Sequence, residues 1–273
     1  MNSLKPEERD QIREGLHLIK YLQKVIVLAQ QHRGMTNTLM QGNESLKPEM
    51  LAVQTALDHL ASNKSRKNAR IKTQLKVFPE WKLAAKTWPK LRDHSLSGDW
   101  PVHTLFREHN VLIARLLTLL EDITQHYQLH ELMLDRVTHA LTVCVHTLRA
   151  AEHIAQLRGM GSGVSASGVV GESDKLMLDY LRNTVEESTD LLFGELGQIA
   201  SPFLKKQLAM SVQSIRDSLN NLLNFIDQMM DDQVQSNMTT KQFFNMATTP
   251  IDGLLVVFNL ILNTITEQYA VAV

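Results

Sequence analysis

One cysteine, Cys144, stands in 273 residues, so no intrachain disulfide can form and a cysteine cage for zinc is excluded. A lone thiol fits a reducing compartment. Aromatic residues reach only 5 %, and there are just 12 glycines and 7 prolines to interrupt regular structure. Charge of either sign is balanced, with a formal net of −1, so the chain lacks the basic excess that non-specific nucleic-acid binding draws on. Long apolar runs are missing too. The most apolar stretch, residues 253–262, is 10 residues long, too short to span a bilayer, and predicts a buried helix. The opening residues, Met1 to Asp10, are polar and have the character of neither a signal peptide nor an anchor. These absences together lead to the expectation of a soluble, cytoplasmic protein without a membrane partner.

What is present favours helix: Leu, Ala, Gln, Met and Lys are abundant. A first helix is expected over residues 6–40. Pro6 suits its first position, and Glu7, Glu8 and Asp10 complement the positive end of its dipole. Ile12, Ile19, Leu22, Ile26 and Ala29 define one apolar stripe, which continues through Arg33, Thr36 and Met40. A second start at Ser45 leads through Leu51, Val53, Leu57, Leu60 and Ala61 into a basic stretch, residues 64–92, with 10 Lys or Arg, one acid (Glu80), and Trp81 and Trp88. Pro79 and Pro89 are expected to frame a short helix, with a loop over residues 93–101. Helices over 102–128 and 130–160 follow. The latter carries the stripe Val137, Leu141, Cys144, Leu148, Ala151, Ala155, then Arg158 and Ser162. Residues 159–171 hold 5 of the 12 glycines and form the main discontinuity. Helices over 173–200, 202–230 and 240–269 complete the chain. Strand alternation is sustained nowhere. Seven to eight helices with short links specify an all-α fold, one domain over residues 1–273, either a bundle or two bundles sharing long helices.

Two positions break the apolar pattern in the same way. Gln31-His32-Arg33-Gly34-Met35 recurs 125 positions later as Gln156-Leu157-Arg158-Gly159-Met160. A guanidinium in a helical seam must be paired or hydrogen-bonded, or desolvation costs several kcal/mol. Small residues surround both: Gly34, Thr36 and Thr38 in the first copy, Gly159, Gly161, Ser162 and Gly163 in the second. Two convergent forks with free backbone N–H groups and hydroxyls suit a small planar oxyanion between two helices. Arg33 and Arg158 are therefore candidate ligand-binding residues, with Gly34, Thr36, Gly159 and Ser162 as further contacts.

A rival reading pairs these arginines with carboxylates such as Glu152, Glu186 or Asp190, in a helical adaptor whose basic stretch binds a partner protein or RNA. The basic stretch reads more simply as a solvated face. An acidic run over residues 172–195 could neutralise it within the fold or across a homodimer. Chemistry is otherwise sparse. Only Glu14-Gly15-Leu16-His17 has Glu-x-x-His spacing, and neither a nucleophile motif nor a phosphate loop occurs, so no catalytic residue, metal or cofactor is assigned. Direct nucleic-acid binding is not expected. Arg115 and Arg149 lack flanking small residues and are expected in ion pairs or at the surface.

Three regions resemble the nitrate- and nitrite-sensing domain, usually called the NIT domain. They are Leu28 to Met35, Ala150 to Met160 with Glu152 ahead of Arg158, and Phe243 to Leu254 with its Ile251-Asp252-Gly253-Leu254 ending. The resemblance implies a non-enzymatic bacterial sensor of two four-helix bundles, with nitrate or nitrite held by Arg33 and Arg158. The family often has an acidic residue before each arginine; here His32 and Leu157 stand there. The output module that usually accompanies such a domain is not recognisable, and the expectation is a sensor that signals through a separate regulatory protein, or a buffer for its ligand.

Overall fold

The computed structural model describes residues 5–61, 66–132, 139–199, 202–231 and 238–270. Within them the regular structure is nine α-helices and two short 3-10 turns, with no strand. Helix α1 spans Pro6–Met40, the full extent predicted from its stripe. Then come α2 (Lys47–Ala61), α3 (Arg66–Leu75), α4 (Pro79–Ser97), α5 (Val102–His126), α6 (Ala140–Ser167), α7 (Glu172–Gln198), α8 (Pro202–Met230) and α9 (Thr240–Ala270).

Three expectations change. Pro89 does not end a helix. It lies inside α4, which runs on to Ser97 through most of the expected loop. An interior proline removes one hydrogen bond and costs about 3 kcal/mol, but Trp81, Ala84, Trp88 and Leu91 are buried on the same face of α4 and hold it to α5. Secondly, α6 begins at Ala140 rather than near 130; Leu129–Glu131 is a 3-10 turn, and Val137 of the predicted stripe lies outside the described residues. Thirdly, the glycine-rich stretch is helical as far as Ser167, and only Gly168, at φ 70°, turns the chain.

The reason for the third change is packing. A Cβ on Gly161 would sit 2.5 Å from Phe243 of α9, and one on Gly163 would sit 2.2 Å from the Asn37 amide of α1. These glycines let three helices approach one another, and α6 packs against both α1 and α9.

The helices form two groups of four. In one, α1 and α5 lie side by side, with α2 against α1 and α4 against α5; hydrogen bonds from Gln54 to the Arg92 carbonyl and from Trp88 to Asp58 tie α2 to α4. In the other, α6 and α9 are central, with α7 on α6 and α8 on α9. Helix α1 belongs to both, since it also packs on α6 and α9. By length and composition α9 could cross a bilayer, with an 18-residue window of mean hydropathy 1.4 that extends beyond the apolar run 253–262. Here Phe243, Leu254, Phe258 and Ile261 of α9 are fully buried in the core.

Candidate functional site

Arg33 and Arg158 are the two largest fully buried side chains among the described residues, each 1 % exposed. They meet where α1 crosses α6. Gly34 and Gly159 come close there: a Cβ added to Gly34 would lie in ordinary contact, 3.8 Å from the Gly159 Cα. The Asn37 amide locks the crossing by donating to the Gly159 carbonyl at 2.7 Å. Phe244 of α9 closes one side and Phe106 of α5 the other, each within 2.9 Å of where a glycine Cβ would be.

The two guanidinium groups are treated differently. Arg33 donates through Nη1 and Nη2 to the two oxygens of Glu152, at 2.5 and 3.2 Å, and through Nη1 to the Asn110 side chain at 2.7 Å. Glu152 also accepts from Gln30 at 3.0 Å and Gln156 at 2.9 Å, so its buried carboxylate is fully hydrogen-bonded. Arg158 donates through Nη1 to the Thr248 hydroxyl at 2.8 Å, and Thr248 donates in turn to the Phe244 carbonyl. Its guanidinium carbon lies 4.5 Å over the Phe244 ring. Arg158 makes no ion pair among the described residues. Burial pulls its pKa down to about 9, the neighbouring Arg33 charge adding to the effect, while Asp252 and Glu152 oppose it.

Several donors at the crossing are unused. Arg33 Nε, Arg158 Nε and the Ser162 hydroxyl are buried without a hydrogen-bond partner. Arg33 Nε lies 3.7 Å from where a Gly159 Cβ would be, and Ser162 is one turn beyond Arg158. Buried polar groups are almost always paired, and an unpaired one costs about 1–3 kcal/mol.

The six residues singled out from sequence are all buried. Arg33, Gly34, Arg158 and Gly159 converge, and Ser162 follows on the same helix. Thr36 faces elsewhere, its hydroxyl contacting Met50 of α2 at 3.6 Å and His32 at 3.4 Å. Of the three carboxylates weighed as partners, only Glu152 meets a seam arginine; Glu186 pairs with Arg182 and Asp190 with Arg216. Arg115 and Arg149 pair with Glu80 and Glu121.

The residues ahead of the arginines also have definite roles. Leu157 is core. His32 Nδ1 is 2.8 Å from His109 Nε2, and His109 Nδ1 is 2.7 Å from the Leu105 carbonyl. A carbonyl only accepts, so His109 carries its proton on Nδ1, His32 donates to His109, and both rings are neutral. Burial sets both pKa values low, His109 at about 4. Sequence alone did not single out Asn110, Asn37, Phe106 or His109, since nothing in their spacing marks them. Thr248 and Phe244 lie in the third stretch used for the resemblance.

The family model described as nitrate and nitrite sensing matches residues 24–266, nearly the whole chain. The chain belongs to the NIT family. No curated protein and no solved structure matches it. The matched span contains α6 to α8 entirely and all residues of the arginine crossing, so this NIT chain is a member of a sensory family with two buried arginines at the junction of its two helix groups.

Proposed function

We propose that this chain is a receptor for nitrate or nitrite, which binds at the α1–α6 crossing with Arg158 as its charge partner and Arg33 as the second fork. One observation carries the reading: Arg158 is a fully buried cation with no carboxylate against it, beside unused donors from Arg33 and Ser162. An anion of charge −1 with two or three coplanar oxygens supplies the missing charge and accepts those N–H and O–H groups. Backbone near Gly34 and Gly159 lies at the same place. Helices α1, α6 and α9 all touch this point, so a bound anion would favour one packing of the two groups over another. That preference is the signal to a separate regulatory protein, and the chemistry involves no catalytic step. The lone buried Cys144 agrees with a reducing compartment such as the cytosol.

A second reading draws on the Arg33–Glu152 pair, in which Arg33 is a structural ion pair in an adaptor. Melting in nitrate, nitrite and chloride separates the two. A specific ligand at 100 times its dissociation constant adds about 2.7 kcal/mol, or several degrees in a domain of this size. Nitrate or nitrite is expected to give that rise, chloride is not, and Arg33→Ala and Arg158→Ala are expected to remove it while the protein stays folded. Equal shifts in nitrate and chloride would end the receptor reading.

A further inference from the structure

Away from the arginine crossing, a cleft of about 720 Å³ opens between α1, α2, α3, α4 and α5. Its floor is apolar: Leu57 from α2, Trp81, Ala84 and Trp88 from α4, Leu112 and Leu116 from α5. Leu75 and Ile71 anchor α3 beside it, both buried. Its rim is cationic. Lys72 and Lys76 come from the α3 side, Lys82 and Lys86 from α4, each pair four residues apart. None of these four lysines has a carboxylate partner among the described residues. The single acid in the lining, Asp58, is already neutralised, by Arg92 at 3.3 Å and by the Trp88 indole N–H at 2.8 Å.

That combination fits a ligand of one chemical kind. Small-molecule sites run to about 300–1,000 Å³, mostly apolar, with a few placed polar groups. Four ammonium groups without carboxylate partners among the described residues line this one cleft, Lys72 and Lys76 close enough to repel, and an anionic group there would relieve the excess of positive charge. Burial and the Lys76 charge both push the Lys72 pKa below its usual range, in keeping with a desolvated position at the cleft. The basic stretch is thus more than a solvated face: its lysines are arrayed over an apolar floor that includes both of its tryptophans.

We infer that this cleft is a second binding site, for an amphipathic organic anion whose apolar body lies on Trp81, Trp88 and the leucines and whose carboxylate, sulfonate or phosphate head sits among Lys72, Lys76, Lys82 and Lys86. The inference does not depend on nitrate binding at the arginine crossing.

Decanoate, used below its micelle-forming concentration, is the probe, titrated into the full chain by calorimetry and followed by tryptophan emission; decanol is the uncharged control. One decanoate per chain is expected, with decanol weaker by about tenfold or more. The exposed double variant Lys82→Glu/Lys86→Glu should weaken decanoate by at least about tenfold, and Ala85→Trp, which fills the cleft from its exposed edge, should abolish binding. Both variants should keep whatever nitrate response the parent shows. Decanol binding as tightly as decanoate, or variants that bind like the parent, would overturn the proposal. So would failure of decanoate where an acidic amphipathic peptide binds, since the cleft would then be a groove for a protein segment.

Discussion

Arg33 reaches from α1 and closes its guanidinium fork on Glu152 of α6, which stands six residues ahead of the unpaired Arg158 on the same helix. The crossing therefore holds two buried guanidinium groups and one buried carboxylate, with Asp252 of α9 acting on Arg158 from farther off. The Glu152 carboxylate is the internal counterpart of any anion that enters.

Replacing Glu152 by Gln keeps the side-chain shape but leaves the buried Arg33 guanidinium without its ion-pair partner and Arg158 with only the more distant Asp252 as countercharge. The unliganded protein should lose roughly 3–5 kcal/mol in urea unfolding. Nitrate should then restore more stability than it adds to the parent, because it relieves a larger imbalance. A smaller nitrate increment in Glu152→Gln would mean that Glu152 cooperates in binding the anion rather than substituting for it.

Arg158→Met tests the same imbalance from the other side. It removes a buried charge whose direct contacts are the Thr248 hydroxyl and the Phe244 ring, with no ion pair among the described residues. Without nitrate the variant should be as stable as the parent or more stable, by up to about 4 kcal/mol, while its response to nitrate disappears. Strong destabilisation without ligand would assign Arg158 a structural role.

The pH dependence follows from the depressed Arg158 pKa. Above about pH 9 the folded chain gives up this proton while the unfolded chain still holds it, so the Arg158 contribution to stability rises with pH there and is unfavourable below it. Nitrate needs the charged form. Its affinity should be level from about pH 6 to 8 and fall by about tenfold per unit above about pH 9. Calorimetric affinities that remain level to pH 10 would contradict this.

Gly161→Ala introduces a Cβ that meets the Phe243 ring at 2.5 Å. Alanine is the better helix former by about 1 kcal/mol, so a breaker role at Gly161 predicts a gain in stability. The packing role predicts a net loss of about 1–3 kcal/mol. The urea midpoint decides between them.

Much of this fold is visible as period. The α1 stripe fixed its ends and placed Arg33 in the seam, and the starts of α8 and α9 follow from Pro202 and Thr240. Two of the three differences share one cause: backbone propensity makes glycine and proline look like breaks, while neighbours decide the outcome. Pro89 stays helical because Trp81, Trp88 and Leu91 bind α4 to α5, and the glycines at 159, 161 and 163 stay helical because bulkier residues would collide with Phe106, Phe243 and Asn37. At the site, the two arginines were legible because a charge in an apolar stripe stands out. Thr36 was placed correctly on α1, but its hydroxyl is taken up by His32 and Met50, which only a tertiary arrangement can reveal. For Arg33, sequence offers Glu152 among three candidate carboxylates, and the fold selects it, 119 positions away.

The close approach of Gly34 to Gly159 gives the molecule a pivot. Neither residue puts a side chain between the two backbones, so little soft material separates α1 from α6 there. From Gly34 the long arm of α1 runs back to Pro6, a lever of about 40 Å at 1.5 Å per residue. A tilt of about 3° at the crossing would sweep the Pro6 end through about 2 Å, while atoms about 5 Å from the pivot move by only about 0.3 Å.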